Sequence, residues 1–340
     1  MFVRAKRYAK GVLFMSKFKT AESVSPKHPD KICDQISDAI LDAHLSQDVN
    51  ARVAIDVTGG HGKVFVTGEV TSKATDINIK QIVKRLAGNV EVIENIATQS
   101  PEIANGVDIG GAGDQGIMVG YATNETAEYL PIEVVLSRRL NQNIYERWPY
   151  DGKTQVTVKD GKIVSIVASF QNAPRNELAA QVLTWLKNEP LAVAENGIVK
   201  FHINPAGDWG LGGFDADAGL TGRKLVVDNY GPRIPIGGGA FSGKDPSKVD
   251  RSAAYMARKI AIDYIKKFNA KEVFVYLAYA IGYDQPLEST VVIDGKEETM
   301  KGYDLSPNGI IKLLDLRRPI YEETAKYGHF GNKTFSWEKS

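Results

Sequence analysis

A pattern of two short β-rich segments followed by a helical segment occurs three times along this chain of 340 residues. The paired β-rich segments span residues 52–57 and 63–70, 155–158 and 163–168, and 273–279 and 290–293, and the helical segments span 76–86, 176–186 and 308–314. The three occurrences share no evident sequence identity, so the repeat is one of architecture. Because a hairpin must bury its apolar face against a second layer, the sequence predicts an α+β fold of three similar units, each a sheet covered on one face by helices.

The composition is that of an ordinary globular chain, with 43% hydrophobic and 24% charged residues. A formal net charge of +1 gives no overall electrostatic reason to expect nucleic acid or a membrane as a partner. Cys33 is the only cysteine, which excludes an intrachain disulfide and a cysteine zinc cluster and favours a reducing cytoplasm. The histidines form no H-E-x-x-H motif, so we expect no zinc site.

The N-terminal residues are basic and partly apolar, and Met15 offers a second possible start. The apolar run over residues 11–15 is too short for the core of a signal peptide or for a membrane span. We therefore expect residues 1–19 to form a disordered extension and not a targeting signal.

The segment 237–250 is rich in glycine and ends in two lysines and two aspartates. Gly238 to Lys244 has the spacing of the P-loop G-x-x-x-x-G-K, but Asp245 stands where that motif needs a hydroxyl for magnesium, so a P-loop is not predicted. What remains is a glycine-rich loop whose amides and lysines can neutralise phosphate oxygens, with a carboxylate nearby for a divalent cation. A solvated loop preceding a helix fits these residues equally well.

A helix is predicted to begin near His28, because apolar residues recur at helical spacing over residues 32–43 and Pro29 suits the first helical position. His28, Asp30 and Lys31 then lie at the positive end of the helix dipole, where free N–H groups attract anions. These residues favour a phosphate and metal site. The alternative is that Asp30 only stabilises the first helical turn.

Further polar residues lie on other glycine-flanked turns. Asp114, within the glycine-rich stretch 110–116, indicates either a mobile loop or a plain connector. The apolar run 225–227 predicts a strand, and two cations precede it. In total, glycine-flanked turns carry five cations, more than connectors require: Lys153, Arg223, Lys224, Lys244 and Lys248.

This inventory of cations, carboxylates and a histidine at a helix start suits a nucleoside triphosphate whose charge must be neutralised in place. No Ser-His-Asp or Cys-His arrangement stands out, so covalent acyl chemistry is not indicated. The residues alone predict a magnesium-dependent enzyme that acts on a phosphorylated small molecule.

Four stretches of the chain resemble signatures of the S-adenosylmethionine synthetase family: 22–25 with 28–31, 111–116, 219–224 and 237–251. The resemblance extends from Thr20 to Lys339. It implies three discontinuous α+β domains around a pseudo-threefold axis, approximated by residues 20–110, 111–225 and 226–340, with segments exchanged between them. It also implies a cytoplasmic homodimer or homotetramer whose active sites lie at a subunit interface and use residues of both subunits.

The resemblance implies synthesis of S-adenosylmethionine from ATP and L-methionine by attack of the methionine sulfur on C5′ of ATP. The released triphosphate would then be hydrolysed to pyrophosphate and phosphate, with two Mg²⁺ ions per site and K⁺. A thioether is a neutral nucleophile, so the reaction needs alignment and stabilisation of a departing polyanion, and no general base.

Family positions are carried over onto this sequence by their motifs. The expected catalytic residues are His28, Lys153, Arg223, Lys244 and Lys248. ATP contacts are expected from His28, Asp151, Lys153, Asp208, Trp209, Asp217, Arg223, Lys224, Ala240 and Lys244. Methionine contacts are expected from Glu69, Gln99, Asp114, Asp217 and Lys248. Asp30 and Asp250 are expected near Mg²⁺ and Asp56 near K⁺.

The sequence departs from the family pattern at several of these positions. Lys27 replaces the usual glycine before His28, and Asp56 replaces a glutamate that usually ligates potassium. Asp208 and Trp209 replace an Arg-Phe pair, which keeps an aromatic ring for adenine stacking but reverses a charge.

Two alternative functions remain at this point. One is another ATP-using transferase or kinase built on the same residues, for which ADP would be the product. The other is a catalytically silent homologue, against which the presence of every matched phosphate-contacting lysine and arginine argues.

Overall fold

The computed structural model describes residues 18–98, 111–191 and 199–339. The strands are β1 Phe18–Val24, β2 Arg52–Gly60, β3 Lys63–Thr71, β4 Glu91–Ala97, β5 Gly116–Thr123, β6 Gly152–Lys159, β7 Lys162–Phe170, β8 Lys200–Ile203, β9 Gly219–Leu220, β10 Glu272–Tyr279, β11 Glu288–Ile293 and β12 Lys296–Thr299. The helices are α1 Pro29–Leu45, α2 Ile79–Ala87, α3 Ile132–Arg147, α4 Arg175–Asn188, α5 Leu225–Asp228, α6 Val249–Phe268, α7 Pro307–Leu314 and α8 Tyr321–Tyr327. In these described residues the strands form three sheets of four strands each.

Each sheet is built around one of the predicted hairpins. Sheet 1 has the order β4-β3-β2-β9, sheet 2 the order β1-β6-β7-β8 and sheet 3 the order β12-β11-β10-β5. Two-residue turns join β2 to β3, β6 to β7 and β11 to β12, and their first residues, His61, Asp160 and Asp294, have φ of 52°, 49° and 48°. Each is followed by a glycine with positive φ, as the twist of an antiparallel pair requires. The predicted α+β class with three similar sheet-and-helix units is confirmed.

The chain exchanges segments between the sheets in a cyclic manner. Strand β1 belongs to sheet 2, but the helix that follows it, α1, packs on β2 of sheet 1. Strand β5 belongs to sheet 3, but α3, which follows it, packs on sheet 2. Strand β9 belongs to sheet 1, but α6, which follows it after α5, packs on sheet 3. The connections from these strands to these helices therefore cross from one sheet to another. One of them, residues 221–248, carries four of the five predicted phosphate-binding cations, and another, residues 25–28, ends at His28.

Helices α1 and α6 form the centre of the main hydrophobic core together with sheets 1 and 3. Gly120 of β5 lies so close to α6 that a Cβ there would come within 2.1 Å of the Ala257 carbonyl oxygen. Met256, Ile260 and Ile262 of α6 are fully buried, and each contributes about 1.5–3 kcal/mol of transfer free energy. This packing fixes the start of α6, where the glycine-rich segment ends.

Two local predictions are wrong. The apolar run 225–227 is not a strand but part of α5, because Asp228 N–H donates to the Lys224 carbonyl and Asn229 N–H to the Leu225 carbonyl. Short apolar runs fit both structures, so periodicity could not separate them. Residues 1–17 of the predicted extension lie outside the described residues, but Phe18 and Lys19 belong to β1, where they pair with β6. Within the part of the chain that is described, no helix has the length and apolarity needed to cross a bilayer.

Candidate active site

Helix α1 begins where the sequence predicts, and His28 is its N-cap. The Nδ1 atom of His28 accepts a hydrogen bond of 3.2 Å from the Asp30 backbone N–H, and Pro29 occupies the first turn. His28 is only 5% exposed, and Asp30 only 2%. The helix start thus holds an imidazole and a carboxylate in fixed positions beneath the surface.

Four aspartates of α1 follow one another at four-residue spacing, so they lie along one face of the helix. We call Asp30, Asp34, Asp38 and Asp42 the aspartate column. Each of them accepts a backbone N–H from a segment that is remote in sequence. The donors are Leu220 to Asp30 at 3.0 Å, Gly222 to Asp34 at 2.8 Å, Gly243 to Asp38 at 2.8 Å and Tyr321 to Asp42 at 2.9 Å. The column therefore anchors both cation-bearing segments, 219–224 and 237–250, on α1.

The first group of predicted site residues surrounds the start of α1. We call His28, Asp30, Lys153, Arg223 and Lys224 the α1 cluster. Lys224 Nζ forms a short hydrogen bond with Asp30 Oδ2, and Arg223 Nε lies 3.7 Å from Asp30 Oδ1. Burial alone would raise the pKa of Asp30, but the hydrogen bonds from Lys224 and from the Leu220 amide hold that pKa below its ordinary value. Asp30 is therefore an anion among cations.

His28 is neutral at physiological pH. Burial, together with the positive charges of Lys224 and Lys153, lowers the pKa of His28 to about 3. Because Nδ1 accepts a hydrogen bond, the ring proton is on Nε2, so that nitrogen is a donor. A neutral imidazole with a free donor can hydrogen-bond to a phosphate oxygen without being charged itself.

The depressed pKa of His28 predicts a pH dependence of stability. Between about pH 3 and 6.5 the unfolded imidazole binds a proton and the folded one does not, so the free energy of unfolding rises with pH across this window. The contribution of His28 to the free energy of unfolding is fully present above pH 6.5. It is lost as pH falls, by up to about 1.4 kcal/mol per pH unit. His28→Asn, which keeps an N-cap acceptor, should flatten this slope in urea unfolding measured at pH 7, 5.5 and 4.5.

The matched control for that experiment is His61→Asn, at an exposed position of the β2–β3 turn where asparagine tolerates the positive φ. It should leave the slope unchanged. If the free energy of unfolding depends on pH equally in the wild type and in His28→Asn, His28 is not a neutral, buried group.

The second group of site residues lies on the glycine-rich segment. We call Lys244, Asp245, Lys248 and Asp250 the loop cluster. Lys244 Nζ lies 2.6 Å from Asp250 Oδ2, and Lys248 Nζ forms a short hydrogen bond with Asp245 Oδ2. A Cβ on Gly239 would lie 2.3 Å from Asp250 Oδ2, so this glycine lets the backbone pass directly over the carboxylate. Both lysines of the loop cluster therefore pair with a carboxylate, as Lys224 does in the α1 cluster.

The glycine-rich segment is fixed to β2 by backbone hydrogen bonds. Ile55 N–H donates to the Gly243 carbonyl at 3.0 Å, and Asp245 N–H donates to the Val53 carbonyl at 3.0 Å. Lys244 forms an isolated bridge with Ala54 between these two bonds. The lysine that the sequence places on a loop is therefore held at the edge of a sheet.

A buried ion pair supports the loop cluster, and the sequence analysis missed it. Arg251 donates to both carboxylate oxygens of Asp38, at 2.6 and 2.9 Å, and also to the Lys244 carbonyl at 3.1 Å. Arg251 and Asp38 are both 0% exposed. The signal available in the sequence was the four-residue spacing of the aspartates, which places Asp38 on the same face of α1 as Asp30.

Other predicted ATP positions lie around the α1 cluster. Asp151 Oδ2 accepts from the Gly213 amide at 3.1 Å, and burial raises the pKa of Asp151. Asp217 is exposed, but its charge acts on both His28 and Asp151. Ala240 lies against Gly222, where an added Cβ would come within 2.6 Å of the Ala240 Cβ, so the segments of the two clusters touch there.

Asp208 and Trp209, the pair that departs from the family pattern, differ in their hydrogen bonding. Asp208 Oδ1 accepts from the Arg175 N–H at 3.0 Å, which caps α4. Trp209 is partly buried, and its Nε1 has no hydrogen-bond partner among the described residues. The carboxylate is thus already engaged, whereas the indole N–H is left for a ligand or water.

The predicted methionine and potassium positions are less enclosed. Glu69 and Asp56 are exposed on strands β3 and β2, and Asp114 is exposed just before β5. Asp114 Oδ1 accepts a hydrogen bond of 2.7 Å from the backbone N–H of Gln115. Gln99 lies outside the described residues. Glu69, Asp56 and Asp114 thus lie at the surface of a single chain, whereas His28 and Asp30 of the α1 cluster are buried.

Divalent metal is compatible with the donors present if phosphate supplies the rest of the coordination. Within the described ranges no three histidine, cysteine, aspartate or glutamate side chains come together as a metal site. Asp30 and Asp250 are instead single carboxylates, each beside a lysine. Mg²⁺ is commonly bound by one or two carboxylates together with substrate phosphates and water, which fits this pattern.

Comparison with known proteins covers almost the whole chain. Models of the S-adenosylmethionine synthetase N-terminal, central and C-terminal domains match residues 16–105, 109–209 and 211–339. A protein of Brachyspira hyodysenteriae named S-adenosylmethionine synthase is 42% identical over 377 aligned positions, covering 94% of this chain and 95% of the relative. A Clostridium tetani protein of the same name is 42% identical over 373 positions, covering 93% and 95%.

Proposed function

Since the chain belongs to the S-adenosylmethionine synthetase family and is a methionine adenosyltransferase acting on ATP and methionine, we propose that sulfur attacks C5′ of ATP directly and displaces the whole triphosphate. The enzyme then hydrolyses the triphosphate to pyrophosphate and phosphate. The observation that carries this proposal is the set of lysines held by single carboxylates in the α1 cluster and the loop cluster.

These ion pairs support a triphosphate cradle because they keep the cations in place before the ligand arrives. Lys224 is held by Asp30, Lys244 by Asp250 and Lys248 by Asp245. A triphosphate would accept hydrogen bonds from these lysines in place of the carboxylates, and Asp30 and Asp250 would then be free to hold a divalent metal. Preorganised charge of this kind stabilises a leaving polyanion without reorganisation during the reaction.

His28 is proposed to donate its Nε2 proton in a hydrogen bond to the oxygen that leaves C5′. Its neutrality matters, because a neutral donor stabilises developing negative charge without binding the triphosphate more tightly in the ground state. Lys153 and Arg223, beside it, are proposed to neutralise the departing phosphates. ATP contacts at Asp151, Asp208, Trp209, Asp217 and Ala240 are proposed from their positions around this cluster.

Methionine binding is proposed at Glu69, Gln99, Asp114 and Asp217, with Lys248. Of these, Glu69, Asp114 and Asp217 are exposed at the surface of one chain. Carboxylates suit the ammonium group of methionine and the positive sulfonium of the product. Alignment of sulfur with C5′ is the main task of these groups, since the nucleophile needs no deprotonation.

The family is metal-dependent, and we propose Mg²⁺ as the ion, with Asp30 and Asp250 as its protein ligands. Bound Mg²⁺ would neutralise charge on the triphosphate oxygens. We propose Asp56 as a weaker K⁺ position, because its shorter side chain stands on an exposed strand.

A homodimer or homotetramer is proposed from an apolar face on sheet 3. Ile117 of β5 is 58% exposed, and Ile281 and Leu287 of the β10–β11 connection are 55% and 66% exposed. Ile117 and Leu287 line a cavity of about 730 Å³ that Gly237 and Gly238 also line. Burying this face against a second copy would bring that copy's surface up to the glycine-rich segment. A cytoplasmic location is proposed as well, in accord with buried, unpaired Cys33.

The test is a product analysis with ATP, methionine and Mg²⁺. We expect S-adenosylmethionine with pyrophosphate and phosphate in equal amounts, and no ADP. A methionine-dependent release of ADP would instead establish a kinase-type reaction on the same residues.

A further inference from the structure

A cavity of about 340 Å³ lies between α3 and the C-terminal residues 323–335, and we call it the α3 cavity. None of the residues assigned above to ATP, methionine or metal lines it. Its charged lining consists of Glu128, Arg138, Arg139, Glu323, Lys326 and Lys333. The volume is within the range of small-molecule sites.

Arg138 is a buried guanidinium without a counter-ion. It is 7% exposed, and it donates to three backbone carbonyls, those of Phe330 at 2.7 Å, Val227 at 2.8 Å and Asn229 at 2.9 Å. Its Nε has no hydrogen-bond partner, and among the described residues no carboxylate lies within ion-pair distance. The two carboxylates whose charge acts on Arg138, those of Asp228 and Glu338, are paired with Lys31 and Arg258. Burial lowers the pKa of Arg138 to about 10, so it still carries its charge at neutral pH. A buried charge in this state is costly unless an anion approaches it.

The carboxylates of the cavity do not supply that anion. Glu128 Oε1 is held by Arg139 at 2.6 Å, and Glu323 is held by Lys326 at 2.5 Å. Four cations against two carboxylates leave the lining with a net charge of +2. The two uncompensated cations are Arg138, at the buried side, and the exposed Lys333.

The remaining lining combines apolar and aromatic side chains with the polar side chains of Gln142 and Asn332. Leu130, Val135, Phe330 and Phe335 supply apolar surface. The Tyr327 hydroxyl and Glu128 Oε2 are buried and have no hydrogen-bond partner within the described part of the chain. Glu128 Oε2 is an acceptor and offers nothing to an anion, so Arg138 and Lys333 are the groups that remain to bind one.

We propose that the α3 cavity binds a small aromatic anion, an organic carboxylate or a phosphate monoester. Its charge is balanced by Arg138 and Lys333, and its ring packs against the apolar wall at Phe330. The site is separate from the proposed triphosphate cradle, so it does not depend on the reaction proposed above. It is nevertheless connected to the α1 cluster, because Arg138 holds the carbonyls of Val227 and Asn229, just after Arg223 and Lys224.

Calorimetric titration tests this proposal. Benzoate, phenyl phosphate and neutral benzyl alcohol are titrated into the full chain in a buffer without other polyvalent anions, and the Lys333→Glu variant separates binding in the α3 cavity from binding elsewhere. We expect at least one of the two anions to bind and benzyl alcohol not to bind, and the stronger anion identifies carboxylate or phosphate as the preferred group. Lys333→Glu should weaken anion binding at least about fivefold, since it replaces an attraction by a repulsion.

The matched control is Lys296→Glu, the same charge change at an exposed position on β12, which should leave binding unchanged. A soak of crystals with 4-bromobenzoate should place the bromine in the α3 cavity. Absence of binding by both anions, equal affinity in wild type and Lys333→Glu, or density for water alone in the cavity would overturn the proposal. Arg138→Gln provides a second variant, and Lys333→Glu decides alone if Arg138→Gln does not fold.

Discussion

Replacing Lys244 by alanine is expected to lower kcat for S-adenosylmethionine synthesis by about 10²–10³-fold, the loss seen when one preorganised group is removed from a developing anion. Lys244 is the lysine that β2 fixes at the sheet edge and Asp250 holds at 2.6 Å. Its removal takes one positive charge from the proposed triphosphate cradle and leaves Asp250 without its partner. Steady-state kinetics with saturating ATP and methionine would measure the effect.

The matched control is Lys259→Ala on α6, because Lys259 forms a comparable pair with Asp263 at 2.5 Å and lies outside both clusters. This variant should stay within about twofold of wild-type kcat, as an ordinary ion pair of little net energy allows. The two variants should unfold at similar urea concentrations. If Lys244→Ala has the kcat of the wild type, Lys244 does not take part in the proposed mechanism.

The largest effect on stability is expected from Arg251→Met, at about 3–5 kcal/mol of unfolding free energy. The substitution leaves the Asp38 carboxylate buried and without its cation, although the Gly243 amide still donates to it. It also removes the hydrogen bond to the Lys244 carbonyl, so kcat should fall even under conditions in which the variant is folded. Urea unfolding at pH 7 measures the first effect and kinetics the second.

Two further variants separate loss of the pair from loss of packing. Asp38→Asn combined with Arg251→Met leaves no uncompensated charge and keeps an acceptor for Gly243, so it should recover more than half of the lost stability. Arg318→Met breaks an exposed pair with Asp315 and should cost no more than about 1 kcal/mol. A cost for Arg251→Met as small as that for Arg318→Met would show that the buried pair is not a structural anchor.

Local sequence patterns were sufficient for the hairpins and several helices, but not for the exchange between sheets. Helix α4 was predicted at 176–186 and spans Arg175–Asn188, and its buried residues Leu178, Val182 and Trp185 recur at helical spacing. Strands β1, β5 and β9 complete sheets formed by remote segments, and no local pattern encodes that pairing. The same limit explains α5, whose short apolar run fits a strand equally well.

The site could be predicted as a set of residue types and only partly as a geometry. Glycine spacing and the helix start pointed to His28, Asp30 and Lys244, which the structure places on rigid elements. The aspartate column was visible in the sequence as a spacing of four, but its function depends on which loops fold over α1. The contacts of Asp38 with Gly243 and Arg251 are tertiary, and periodicity alone does not predict them.

We further propose that, at the subunit interface proposed above, the α1 cluster of one chain and the loop cluster of a second chain form one active site, although their segments also touch within each chain. It is tested by mixing two inactive variants, His28→Ala and Lys244→Ala, through joint refolding or co-expression with different tags. Random pairing makes half of the dimers mixed, and each mixed dimer has one site with both clusters intact, so we predict about a quarter of wild-type activity. If activity stays at the level of the separate variants although mixed dimers form, each site is built within a single chain and the account is wrong.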